Sequence, residues 1–225
     1  MVIISHKYKF IVFKSYKTAS STIELFLQKV VRENSKPEEY FLGCKKDSDG
    51  TVIIRKHITP DELFVLMPEI KHYYKVCAIR NPFNQIVSCY IHNHGYVPND
   101  IQLRNYIKSC TYNNNFKTIK KVYRSLRTYY SYILCEQKEC IDFMIKTENL
   151  KDDLMVFLDK FNLKYDINDV KHLRGTKVPG YQIHDIYSQD NIELVKNIFK
   201  EELKLGNYDF PISKKETVTS TLESQ

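Results

Sequence analysis

Lys17, Ser20, Ser21 and Thr22 stand between two apolar runs, Phe10-Ile11-Val12-Phe13 before them and Ile23, Leu25, Phe26 and Val30 at helical spacing after them. That order reads as a buried strand, a small-residue turn and the first turn of a helix. The first turn of a helix leaves N–H groups without intrahelical partners, and the helix dipole makes that end positive, so the segment can hold a phosphate-like anion. Lys17 adds a full positive charge, and the three hydroxyl residues add donors. The same pattern also fits an ordinary strand-to-helix connection capped by Ser or Thr.

A second arrangement of the same kind lies at Tyr73 to Tyr90. Tyr74 to Ile79 reads as a core strand that ends in Arg80, and Pro82 opens a helix with Phe83, Ile86, Val87 and Tyr90 on its apolar face. Arg80 offers a planar fork to a phosphate, and Ser88 reaches the same place from the helix. An arginine here can equally pair with a nearby carboxylate. Between the two segments, His57 falls on a loop leading into Thr59-Pro60-Asp61-Glu62, which reads as an N-cap, a proline at the first helical position and acids favoured by the dipole. A histidine on such a loop can enter a site and titrates near neutral pH, although it can also be a plain surface residue.

The elements that must position these residues are short and alternate in type. Tyr40 to Cys44 and Thr51 to Arg55 read as the arms of a hairpin about Asp49-Gly50. Asp142 to Leu150 reads as a strand leading into a helix through Asp153, Leu154, Phe157, Leu158 and Phe161, and a last amphipathic helix is expected from Asp190 to Leu205. Residues 117–134 carry Lys117, Lys120, Lys121, Arg124 and Arg127 around apolar positions, a basic amphipathic helix that is either a solvated face or a surface for an anionic glycan. His92 and His94 are two apart and diverge on a helix, so no metal pair is expected there.

The motif wording resembles the sulfotransferases that use 3′-phosphoadenosine 5′-phosphosulfate (PAPS). Tyr16-Lys17-Thr18-Ala19-Ser20-Ser21-Thr22 resembles their 5′-phosphosulfate loop in the carbohydrate branch, P-K-T-A-G-T or P-K-T-A-S-T, and is closest to the uronyl 2-O-sulfotransferases, with Tyr16 where a proline usually stands. Ile79-Arg80-Asn81-Pro82 followed by Ser88 resembles the 3′-phosphate element. Ile145-Lys146-Thr147-Glu148-Asn149-Leu150 is similar to a structural segment of the family, and Asn207-Tyr208-Asp209-Phe210 to its closing docking segment. The resemblance implies that Lys17, Thr18, Ala19, Ser20, Ser21 and Thr22 bind the donor with Arg80 and Ser88. It also implies a basic loop over the nucleotide, with Arg174, Thr176 and Lys177 as candidates. It makes Lys17 catalytic and His57 the general base that takes the proton of a hydroxyl acceptor, with Glu38 or Glu39 as the alternative and His6 a poorer one. The acceptor implied is a carbohydrate, with a peptide tyrosine or small alcohol open, and the product is adenosine 3′,5′-bisphosphate (PAP). No metal is expected, because a sulfuryl group carries less charge than a phosphoryl group.

The implied fold is α/β: one domain over residues 1–210 with a mostly parallel central sheet flanked by helices, related to the P-loop kinases, then a polar tail over 211–225. A length of 225 residues suits one core, and a net charge of +7 suits polyanionic partners. No secretory signal is read, since Met1 to Ser5 runs into the first strand, and no apolar run reaches the roughly 20 residues needed to span a bilayer, so a cytoplasmic protein is expected. The six cysteines lack C-x-x-C spacing and are expected as reduced thiols without zinc. Two other classes stay in view. A kinase of the same architecture needs the G-x-x-x-x-G-K-S/T frame, and no glycine occurs between Met1 and Leu42. A non-catalytic binder of nucleic acid or acidic polysaccharide fits the charge but leaves the paired motifs unexplained, and nucleic acid is not the expected partner.

Overall fold

Two short apolar runs, Val2–Ser5 (β1) and Phe10–Lys14 (β2), flank the polar residues His6 to Lys9 and fold back on each other as an antiparallel hairpin with Ile3 opposite Val12. The turn has none of the usual glycine or proline. Lys9 takes the left-handed conformation (φ 54°), and the Tyr8 N–H donates to Ser5 Oγ at 3.2 Å. The computed structural model describes residues 2–43, 45–46, 48–50, 52–54, 57–111, 133–136, 138–171 and 181–211. The chain forms two compact units within the span taken from sequence as one domain: residues 1–80 with 127–175, and residues 81–126 with 176–225.

The first unit is built on a five-stranded sheet of order β3-β1-β2-β6-β9, where β3 is Tyr40–Gly43, β6 is Tyr74–Ile79 and β9 is Phe143–Lys146. β2 pairs with β6, and β6 with β9, in parallel; β1 pairs with β2 and β3 antiparallel. The α/β class holds, but the sheet is mixed where a mostly parallel one was expected. The β1–β2 hairpin is the reason, because it inserts a reversed strand between β2 and β3. Tyr40–Gly43 joins this sheet instead of a local hairpin. Gly43 (φ 123°) turns the chain out of it, and the hairpin about Asp49-Gly50 is made by Lys45–Lys46 (β4) and Val52–Ile54 (β5).

β1 and β2 are buried on both faces, and side chains alternate along the strands. Phe10, Val12, Val76, Ala78 and Ile145 share a core with helix α1, Ser20–Asn34, and helix α5, Leu150–Asp159. The buried apolar positions of α1, namely Ile23, Phe26, Leu27, Val30 and Val31, make one continuous stripe at helical spacing. Phe13 points to the opposite face, where it meets Phe64 of helix α2, Pro60–Leu66, edge to face at 6.2 Å. Leu134–Cys135 (β7) and Lys138–Glu139 (β8) form a small hairpin closed by a Cys135–Cys140 disulfide. This corrects the expectation of reduced thiols: a tight hairpin brings residues five apart to a Cα separation of 5.5 Å, which spacing alone does not reveal. Cys77 and Cys89 form no disulfide and are buried, and burial pushes the Cys77 thiol up, so Cys77 is no nucleophile in waiting.

The second unit is helical among its described residues: α3, Pro82–His94; α4, Asp100–Thr111; α6, Gln189–Ile198; and α7, Lys200–Gly206. The last helix read from the sequence is thus two, parted at Phe199, whose ψ of 29° breaks the helical path while its ring is buried. Phe83 at the start of α3 packs against Tyr187 and Phe210 at 5.4 and 5.0 Å. Asn81 Nδ2 donates to Asp209 O at 2.8 Å, so the closing segment docks on the start of α3. Residues 117–127 and 212–225 lie outside the described residues.

Candidate anion site at the strand ends

β2, β6 and β9 run the same way, and Lys14, Ala78 and Ile145 stand level in the ladder. The segments that follow, from Ser15, Arg80 and Thr147, therefore leave the sheet along one edge. From β2 the chain goes through α1 to β3 on one side, and from β6 it goes by way of the second unit to β9 on the other. The gap between β2 and β6 is thus a topological switch point at the C-terminal edge, where open α/β sheets take their ligands.

The loop after β2 is held from inside. Ser15 is buried and donates to Ala78 O at 2.7 Å. The Thr18 hydroxyl, also buried, donates to Ser15 O at 3.1 Å and lies 3.2 Å from Ser15 Oγ. Thr18 thus braces the loop with its side chain. Lys17 and Ala19 both take left-handed conformations (φ 60° and 52°) without being glycine, a strain on the order of 1 kcal/mol or more at each that is kept where the surroundings fix it. Arg80 helps to fix it: its Nη1 donates to Lys17 O at 3.2 Å. The two residues singled out on separate motifs thus meet at the switch point, with Lys17 and Arg80 both half-buried.

Ala19 is the N-cap of α1, no side chain caps that helix, and its first turn holds no acid. By contrast, α2 starts on a full capping box, in which Thr59 Oγ1 accepts from Glu62 N at 3.4 Å and Glu62 Oε2 from Thr59 N at 3.0 Å; α3 starts on Asn81, which accepts from Phe83 N at 3.1 Å. Ser20 and Ser21 are half-buried and Thr22 is buried in that first turn of α1.

His57 is brought to this loop. Its Nδ1 lies 2.9 Å from Lys14 O, and its ring meets that of Tyr16 at 5.4 Å. A carbonyl only accepts, so Nδ1 carries a proton, which in an uncharged imidazole puts the lone pair on Nε2. Glu38 and Glu39 are at the other end of the sheet: Tyr40 stands level with Ser5 and Phe10, at the start of β2. Glu39 accepts from Lys36 N at 2.8 Å and lies 3.7 Å from Lys7 Nζ. His6, 3.2 Å from Tyr73 OH, sits in the β1–β2 turn at that same far end.

Two residues of this edge carry no motif signal. Lys14, buried at the end of β2, pairs with Glu24 of α1, and its Nζ lies 3.4 Å from Ser20 O. A lysine closing an otherwise apolar strand was the available sign. Thr147 donates to Ile79 O at 2.9 Å and ties the end of β9 to that of β6. Next to it, Asp153 holds the turn into α5 by accepting from Lys146 N at 2.7 Å and Asn149 Nδ2 at 2.9 Å. Ser88 is buried on α3 in the second unit, and Arg174, Thr176 and Lys177 lie outside the described residues.

Among the described residues no group of three or more His, Cys, Asp or Glu could hold a metal ion, and no helix is long and apolar enough to cross a membrane. No family model, no curated protein and no solved structure matches this chain.

Proposed function

We propose that the chain is a sulfotransferase, moving the sulfuryl group of PAPS to a hydroxyl acceptor of the carbohydrate class. One observation carries the reading: Arg80 and the Lys17 loop, whose wording resembles elements for opposite ends of one nucleotide, are bonded to each other at the switch point between β2 and β6. The residues there fit such a donor. The start of α1 has neither a side-chain cap nor an acid to compete with an anion, and a guanidinium with five donors stands beside it, one of them on Lys17 O.

The donor, when bound, brings an activated sulfuryl group and a bisphosphate that leaves. Lys17 and the loop amides hold the charge that grows at the loop, an arrangement in which pre-set donors need no reorganisation. His57 takes the acceptor proton at Nε2, while its Nδ1–H bond to Lys14 O keeps the ring in that tautomer and orientation. The left-handed Lys17 and Ala19 occupy conformations for which phosphate loops use glycine, so the loop has its shape without the kinase glycine frame.

Transfer of labelled sulfate from PAPS to a panel of glycans, phenols and peptides tests the reading. Label appearing on a glycan, and lost in Arg80→Ala, is the expected result. Phosphate transfer from ATP with magnesium, and none from PAPS, would overturn it.

A further inference from the structure

Beneath the anion loop lies a charge that belongs to neither motif. Lys14 is 2% exposed and shares the sheet face of Phe10 and Val12, the face that α1 covers. A lysine buried there is costly unless its charge is met. Glu24, in the second turn of α1, meets it with a carboxylate, and Ser20 in the first turn adds its carbonyl at 3.4 Å. The pair is uneven. The ammonium is sealed under the start of the helix at 1% side-chain exposure, whereas the Glu24 side chain is 25% exposed and partly screened by water. The backbone carbonyl of this same Lys14 carries the His57 ring, so one residue supports both the first turn of α1 and the imidazole.

We infer that Lys14 and Glu24 set the affinity of the loop for its anion, Lys14 by adding a buried positive charge behind the amides of α1 and Glu24 by offsetting it. This rests on the loop being an anion site. Its consequence is that the two charge deletions act in opposite directions. Glu24→Gln releases the whole field of Lys14 and tightens anion binding. Lys14→Met removes the positive charge but keeps the Glu24 carboxylate, which also accepts from Gln28 Nε2 at 3.3 Å, near the start of the helix, and so weakens anion binding. Each change is about fivefold, the size expected for one unit charge acting across roughly a Debye length. The double variant removes both charges and returns to within about twofold of wild type. A pair that serves folding alone predicts weaker binding in every variant.

The test is calorimetric titration of the full chain and the three variants with PAP and, separately, with inorganic sulfate, at low and at raised salt, with thermal unfolding to show that each is folded. The expected order is Glu24→Gln tightest, wild type and the double variant alike, and Lys14→Met weakest, the spread narrowing as salt rises. A folded Glu24→Gln that binds no better than wild type overturns the inference. If a single variant fails to fold, the double variant decides, since it buries no unpaired charge: affinity near wild type supports the pair's offsetting roles, and a loss beyond about tenfold overturns them. A wild-type chain that binds neither ligand overturns the anion site and this inference with it, whereas tight wild-type binding with both single variants weaker overturns the inference alone.

Discussion

Helices α1 and α2 follow strands of the same unit but begin in opposite ways. α2 begins on a complete capping box, Thr59 with Glu62, with Pro60 at its first position. α1 begins on Ala19 in a left-handed conformation, with no side-chain cap and a second left-handed residue, Lys17, just before it. The first is what a helix start looks like when stability alone shapes it. The second gives up a cap and accepts backbone strain, and it does so where a guanidinium, a lysine and a histidine converge. A helix start without a side-chain cap and left-handed residues in one loop are the features on which the proposed anion site rests.

This contrast can be broken in several ways. His57 and Thr59 are two residues apart on one loop, yet His57 contacts Lys14 O at the end of β2 while Thr59 caps α2. His57→Ala should lower the transfer rate by about 100- to 10,000-fold, the range for a general base, with nucleotide affinity kept; rate and affinity are read separately by single-turnover and binding assays. Thr59→Ala should lower stability by about 1 kcal/mol in urea unfolding and leave nucleotide affinity alone. If Thr59→Ala instead abolished binding, the two helix starts would not be separable.

A smaller effect is expected at Ala19. Ala19→Gly removes the left-handed penalty, offset in part by the freer unfolded chain, so stability should rise by up to about 1 kcal/mol. Nucleotide affinity should fall slightly, because the loop is less pre-set. A loss of stability would show that Ala19 is not strained.

The smallest effect serves as a control in the second unit. Tyr90 is pushed up to about 12 from 10.0, first by burial and then by the bond of its hydroxyl to Tyr96 at 3.1 Å. A group whose folded value is raised stabilises fully below its unfolded value and loses that contribution as pH climbs to the folded one. Wild type should therefore lose stability between about pH 10 and pH 12 more steeply than Tyr90→Phe, which also lacks about 1 kcal/mol of hydrogen bond at neutral pH. Thermal unfolding across that range checks it, with nucleotide affinity at neutral pH unchanged.

Much of this is legible in the sequence. Phe10 to Phe13 and Tyr74 to Ile79 announced buried strands by their apolar runs, and Thr59-Pro60-Asp61-Glu62 announced a capped start, because both signals are local. The partner of Tyr40–Gly43 was not readable, since pairing with β1 is a long-range choice. The β1–β2 hairpin was hidden because Lys9 does the work usually left to glycine or asparagine. Within the site, Lys17, Arg80 and His57 were visible by type and spacing. The roles of Lys14 and Thr147 were not, because they arise only when strand ends are brought level. That Glu38 and Glu39, the alternatives to His57, stand at the far edge was not readable either, because it follows from the direction of β3.

The central claim is that the Lys17 loop and Arg80 hold one doubly anionic nucleotide between them. Calorimetric titration of wild type and Arg80→Ala with PAP and with ATP plus magnesium tests it most directly. Tight binding of PAP over ATP, weakened at least about tenfold by Arg80→Ala as a charge-assisted bond to phosphate requires, is the predicted result. Preference for ATP with magnesium, or PAP binding indifferent to Arg80, would contradict it.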